Sequence, residues 1–282
     1  MAGNQVPSGV GRTAIGMARV RAEESRRPDR LFDDPYAQAF VAAAPGALPE
    51  EHAASGQLGS WGAAISVQGV LRTRFFDDYL LAACQAGCRQ VVLLAAGLDS
   101  RAFRLAWPPG VRLFELDLPE VLAFKQRVLA GEGAVPRCAR TVLAVDLRGD
   151  WPAELTGAGF APAEPTAWLA EGLLIYLSAS EAARLLAAVG QLSAPGSQLA
   201  LERRTPADAR LLVQARAIPA LAEVSAMWRG GLGEDAPDWL ARHGWQPQSH
   251  DRAALAASYG RPLDGPWIGG FLTAVRRPTS DQ

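Results

Sequence analysis

The chain has almost no lysine: of its 28 basic residues only Lys125 is not arginine. Ala, Gly and Pro are abundant as well, so the imbalance reads as a bias of the source and carries no function. Cysteine is scarce. Cys84, Cys88 and Cys138 are odd in number and form no CxxC pair, which argues against a disulfide framework or a zinc site and fits a reducing cytoplasm. Cys84 and Cys88, four apart on an expected helix, read as small buried hydrophobes. Charge of one sign is lacking too: the formal net charge is -1 and the arginines are scattered among acids, so bulk attraction to nucleic acid is not expected. No window approaches the ~20 uncharged apolar residues of a membrane span, and the first residues lack the apolar stretch of a signal peptide. The expectation is a soluble cytoplasmic protein with small partners and no metal.

What is present is a sequence of 282 residues, 49% hydrophobic, long enough for one large α/β domain. Residues 1–11 are expected to be a flexible N-terminus and 278–282 a flexible C-terminus, around a single domain over 12–277. Within it, 12–62 reads as a helical cap, with helices over Thr13 to Glu24 and near LFDDPYAQAFVAAA, and Gly46 to Gly62 as a loop. A cofactor-binding core over 63–202 opens with a long helix from Ala63 to Ala86. After it come VVLLAA and a short helix from Ser100 to Leu105, VRLFELDL and a helix PEVLAFKQRVLAG, TVLAVDL, TAWLAEGLLIYL and a helix SASEAARLLAAVGQL, then QLALERR. Such alternation predicts a mostly parallel sheet with helices on both faces. A helical insertion over 203–244 is expected to form part of a substrate pocket. Strands WQPQSH and WIGGFLTAVRR, within 245–277, are expected to close the sheet, paired antiparallel at an edge.

In a parallel sheet, ligands gather beyond the carboxyl ends of the strands. The first such end carries Gly97, Asp99 and Arg101; the second, Glu115 and Asp117; the third, Asp146 and Leu147; the fourth, Glu171, Gly172 and Tyr176. Gly97 would let backbone approach a ligand closely. Glu115 and Asp117 stand about 20 residues beyond Gly97, where doubly wound folds place ribose, and being two apart they share a face. Asp146 would accept from an adenine amino group with the ring against Leu147. Other readings are available: Asp99 and Arg101 could cap the first helix, and Asp146 could open a turn with Arg148 and Gly149. Glu171, inside WLAEGLLIYL, would be costly to bury without partners.

Also missing is G-x-G-x-x-G, which a pyrophosphate would need at a helix N-terminus; only Gly97 is present in AAGLDSRAF. Acids stand where a dinucleotide wants bare amides, which disfavours an NAD-dependent dehydrogenase. The sulfonium of S-adenosyl-L-methionine tolerates an acidic mouth, and Arg72 or Arg74 could meet its carboxylate.

LFDDPYAQAFV, LRTRFFDDYLL, LLAAGLDSRAFRL, FELDLPEVLAFK, AVDLRGDW and AEGLLIYLS, in this order and across residues 12 to 277, resemble the leucine carboxyl methyltransferase family, in its bacterial branch. The resemblance implies a class I methyltransferase (Rossmann-like) fold: a seven-stranded, mostly parallel sheet whose last strand runs antiparallel, with an N-terminal helical cap and a late helical insertion. It implies that Arg72 binds the cofactor carboxylate with Arg21 nearby, that Gly97 lines the methionine moiety and Asp117 holds the ribose, that Asp146 and Leu147 contact adenine, and that Glu171 sits near the cofactor amino group. Where many relatives have a second glycine this chain has Ala95 or Ala96. The implied activity is O-methylation of a carboxyl or hydroxyl group on a small molecule, such as a polyketide-like metabolite. The alternative is a scaffold that binds the cofactor but acts as a cyclase, decarboxylase or sensor. Acceptor contacts are expected from Tyr176, Arg203, Arg204, Met227, Trp228 and Tyr36, with Trp61 a further aromatic of the cap. His52, His243 and His250 are the histidines from which a base could come, and none is assigned.

Overall fold

The computed structural model describes residues 6–7, 9–47, 57–203, 225–261 and 270–278, with backbone alone for 10 and 57–65. The helices α1 (Val10–Ser25), α2 (Ala37–Ala42) and α3 (Gln57–Gln85) come first. They are followed by β1 (Gln90–Leu94), α4 (Arg101–Arg104), β2 (Arg112–Asp117), α5 (Pro119–Gly131), β3 (Ala139–Ala144), α6 (Trp151–Gly157) and β4 (Thr166–Ala170). A 3-10 turn at Leu174–Tyr176 leads into α7 (Ala179–Gln191), β5 (Gln198–Arg203), α8 (Ala236–Arg242), β6 (Trp245–Asp251), α9 (Arg252–Ser258) and β7 (Gly270–Arg276).

The seven strands form one sheet in the order β3-β2-β1-β4-β5-β7-β6. Strands β1 to β5 pair in parallel, and β7 runs antiparallel between β5 and β6. The order reverses between β1 and β4, and this switch point is where doubly wound sheets open a crevice for a ligand. Both faces of the central strands are buried, as their near-continuous apolar runs require. On one face Leu93, Leu113, Leu169, Ala200 and Phe271 pack with Phe75, Phe76 and Leu80 of α3 and Phe124 of α5. On the other, Val92, Leu94, Phe114, Trp168 and Leu199 pack with Trp151 of α6, Leu185 and Leu186 of α7 and Trp239 of α8. The alternation along β1, with Leu93 facing one layer and Leu94 the other, is the period of two that a strand imposes.

The elements depart from the sequence expectation in two places. Helix α3 begins at Gln57, so part of the expected loop from Gly46 to Gly62 is helical. Helices α6 and α9, seven residues each, were not anticipated. Of the helical insertion expected over 203–244, residues 204–224 lie outside the described residues, and the described remainder contains α8. The last strand is described over Gly270–Arg276, and the first residues of the expected strand, Trp267 to Gly269, lie outside the described residues.

Candidate active site

Strand β1 ends at Leu94 and the chain turns through Ala95 and Gly97, both with positive φ, 55° and 49°. Gly97 meets the end of β2 directly: its N–H donates to Asp117 Oδ2 at 2.5 Å, while Leu118 N–H donates to Oδ1 at 2.7 Å. Each carboxylate oxygen of Asp117 thus accepts one backbone bond and keeps lone pairs for a further donor, which suits a pair of ribose hydroxyls. Burial pushes the Asp117 carboxyl up, and the two N–H bonds offset this only in part. A Cβ at Gly97 would stand 3.4 Å from Ala14 Cβ of α1, so a side chain there would fill the space between turn and helix.

At the end of β4, Glu171 is held between two arginines. Arg72 of α3 donates from Nε to Oε1 at 2.8 Å, and Arg101 of α4 donates from Nη1 to Oε2 at 2.8 Å. Burial works against the charge of Glu171, yet Arg101 and Arg72 hold its carboxyl below the usual range. Arg101, whose side chain is 3% exposed, also pairs with Asp77 at 2.6 Å and with Asp99, and Arg104 donates to Asp77 at 2.6 Å. Arg72 reaches Glu202 of β5 as well, at 2.9 Å through Nη1. Its Nη2 makes no hydrogen bond among the described residues, so the side chain keeps donors that could meet a carboxylate. The ends of β1, β2, β4 and β5 and the inner turns of α3 and α4 therefore converge on one crevice.

Other expected site residues are placed differently. Glu115 lies fully buried within β2, where Lys125 and Arg140 both donate to Oε2 at 2.7 Å. It shares a face with Asp117 but stands one pleat back, inside the sheet and paired with two cations of the chain, so the expectation of a ligand contact from Glu115 is corrected. Arg74 is directed away from Arg72, pairing with Asp78 at 2.9 Å and donating to Leu31 O at 2.8 Å, which removes it as an alternative for the cofactor carboxylate. Arg21 donates from Nε to Asp34 at 2.7 Å and from Nη2 to Leu98 O at 2.7 Å, tying α1 to the turn after Gly97. Asp99 accepts from Arg101 N–H at 2.7 Å, just before α4, whose N-cap is Ser100, and also joins the ion network. Asp146 is half-exposed and accepts from Arg148 N–H at 2.9 Å and from its guanidinium, the turn-opening arrangement, with Leu147 partly buried beside it.

Tyr176 donates to Thr13 Oγ1 of α1 at 3.4 Å, and a Cβ on Gly9 would stand 3.9 Å from Met227 Sδ. Arg229 N–H donates to Ile175 O at 2.8 Å and Gly231 N–H to Leu177 O at 3.0 Å, so the segment holding Met227 and Trp228 is stitched to the turn holding Tyr176. Tyr36 packs edge-on against Phe103, which makes it a contact between cap and core. Arg203 falls on the opposite face of β5 from Glu202 and lies 3.7 Å from Asp235, the N-cap of α8, away from the crevice. Arg204 and His52 lie outside the described residues, as does the side chain of Trp61. His243 stacks on Trp239, and His250 bonds Thr273 Oγ1 at 2.8 Å on the far strands, so neither stands at the crevice. Burial pushes Cys84 and Cys88 up to about 12 and about 11, as inert buried thiols. No group of residues suited to a metal ion occurs among the described residues.

The family model for leucine carboxyl methyltransferase matches residues 14–190. The chain belongs to that family. A relative from Frankia alni, which bears the name of an S-adenosyl-L-methionine-dependent methyltransferase, is 57% identical over 97% of this chain and 96% of its own length. One from Streptomyces coelicolor with the same name is 48% identical over 96% and 97%. Among solved structures, a protein from Thermobifida fusca named as a methyltransferase superposes with a TM-score of 0.50 at 18% identity, over 92% of this chain and 94% of that one. Magnesium protoporphyrin IX methyltransferase from Synechocystis, solved with bound S-adenosylhomocysteine, gives 0.50 at 16% identity over 79% and 90%. These likenesses establish the class I methyltransferase fold. Asp77, Glu202 and Asp34 carry no signal in the sequence, because nothing in their spacing points to the arginines they meet. A buried arginine such as Arg101 was the available clue, since it demands carboxylates from somewhere.

Proposed function

We propose that this member of the leucine carboxyl methyltransferase family transfers a methyl group to a carboxyl or hydroxyl oxygen of a small molecule. The cofactor is S-adenosyl-L-methionine, which when bound supplies an electrophilic methyl on a sulfonium sulfur. The observation that carries the reading is the pair of ligand-ready groups across the switch point, Asp117 with lone pairs spare on both oxygens and Arg72 with Nη2 spare. Asp117 would hold the ribose, Arg72 the cofactor carboxylate, the turn at Gly97 the methionine moiety, and Glu171 the amino group. Asp146 would meet adenine on the side turned away from Arg148, with Leu147 against the ring.

The acceptor would enter where α1, the turn at Tyr176 and the segment with Met227 and Trp228 meet, between an apolar wall and one phenol. An ionised carboxylate acceptor is already nucleophilic, so the chain's task is to align it and exclude water, and no base is required. Incubation with methyl-labelled cofactor and a panel of hydroxylated and carboxylated aromatic and polyketide-like acceptors tests this. Labelled ester or ether product is expected. An acceptor converted without label would show instead a scaffold that does not methylate.

A further inference from the structure

Glu202 stands at the carboxyl end of β5, and nothing in the sequence pattern marks it. Its two oxygens have separate tasks: Oε1 accepts from Arg72 Nη1 at 2.9 Å and Oε2 accepts from Gly172 N–H at 2.8 Å. Gly172 directly follows Glu171, whose Oε1 takes Arg72 Nε at 2.8 Å. The guanidinium is therefore held at Nε and Nη1 by carboxylates from adjacent strand ends, and this fixes the direction of Nη2. A planar fork fixed at two of its nitrogens cannot swing to another partner, which is the condition for orienting a third bond. Arg72 and Glu202 are 14% and 19% exposed in their side chains, so water competes weakly for the pair.

We infer that Glu202 is a positioning residue for cofactor binding, acting through Arg72 to aim its free edge at the amino-acid carboxylate of the cofactor. The inference rests on the cofactor reading above and goes beyond it, because it gives a task to a residue to which that reading assigns none. A clasp that merely joined β4 to β5 would share the same bond to Gly172 but would not distinguish one end of the ligand from the other.

Two ligands separate these roles: S-adenosylhomocysteine, which carries the amino-acid carboxylate, and 5′-methylthioadenosine, which lacks the amino-acid end. Calorimetry on the full chain is expected to show that Glu202→Gln weakens the first by about tenfold, the order of one hydrogen bond to a charged group, while the second changes less than about twofold. In an Arg72→Ala background Glu202→Gln should have no further effect on S-adenosylhomocysteine, since the route of its action is gone. Equal weakening of both ligands, no weakening of either, or an undiminished effect without Arg72 overturns the inference. Should Glu202→Gln fail to fold, Glu202→Asp, which keeps the charge but withdraws it from Arg72, is measured with the same pair of ligands and the same criteria. Wild-type protein that binds neither ligand would remove the cofactor reading itself; wild-type binding with an unchanged ratio between the ligands removes only the role of Glu202.

Discussion

Ala95 is the only non-glycine residue with positive φ among those described, at 55°. An L side chain in that region costs on the order of 1 kcal/mol, which a glycine does not pay in the folded state but partly returns through a more flexible unfolded chain. Ala95→Gly should therefore leave the protein as stable or more stable, by up to about 1 kcal/mol, whereas the β-branched Ala95→Val should lower the thermal midpoint clearly. A midpoint that falls for Gly as it does for Val would mean that the Ala95 methyl makes a packing contact worth more than the strain. The alanine was legible in the sequence as a departure from a glycine-bearing family pattern; that it sits in the left-handed region was not. Glu115 shows the same limit at this scale. The period of two rightly puts it on the face of Asp117, but it does not say how deep along the strand the crevice ends, and Glu115 pairs in register with Leu93 and Val142, inside the sheet.

The closing strands depend on one close approach. Gly270 lies opposite Asp251 in the β6–β7 ladder, and a Cβ there would collide with the backbone carbonyl of His250. Backbone cannot yield as a side-chain tip does, so Gly270→Ala should cost roughly 1–3 kcal/mol and act on the β6–β7 pair first. Hydrogen exchange would read this as early loss of protection in 245–251 and 270–276, and a uniform loss over the whole sheet would contradict it. Long periodic elements were legible: the sequence boundaries of α5 coincide with those observed, β2, β4 and β5 fall inside the runs that predicted them, and β1 begins one residue before its run. Two-turn helices were not, because α6 (WPAELTG) and α9 (RAALAAS) are too short to establish a period of 3.6. The start of α3 was hidden by glycine and serine in QLGSWG, residues that read as loop until the helix is seen to continue through them.

Across the molecule, the network around Arg101 makes stability depend on ionised acids. Burial opposes the charges of Asp34, Asp99 and Glu171, but the arginines beside them hold all three below their ordinary values of 3.8, 3.8 and 4.5. A group whose pKa is lower folded than unfolded stabilises the fold above its unfolded pKa and loses that contribution as pH falls through the folded value. The thermal midpoint should thus decline as pH falls below 4.5, a course that Asp117, shifted upward by burial, opposes but does not outweigh. A midpoint unchanged down to pH ~2 would show that these pairs do not couple to folding. The fold and the strand ends that carry the crevice were legible as a whole because each is a local pattern. The ion network was not, since it joins α3, α4, β4 and β5 through contacts that exist only once the sheet has formed. The account's central claim is a cofactor crevice with Asp117 on the ribose, and calorimetric titration of S-adenosylhomocysteine into the wild type and into Asp117→Ala tests it most directly. It predicts one site in the wild type, weakened by about tenfold or more in the variant, the loss of two hydrogen bonds to a charged group. No heat of binding in the wild type, or equal affinity in the two proteins, would contradict it.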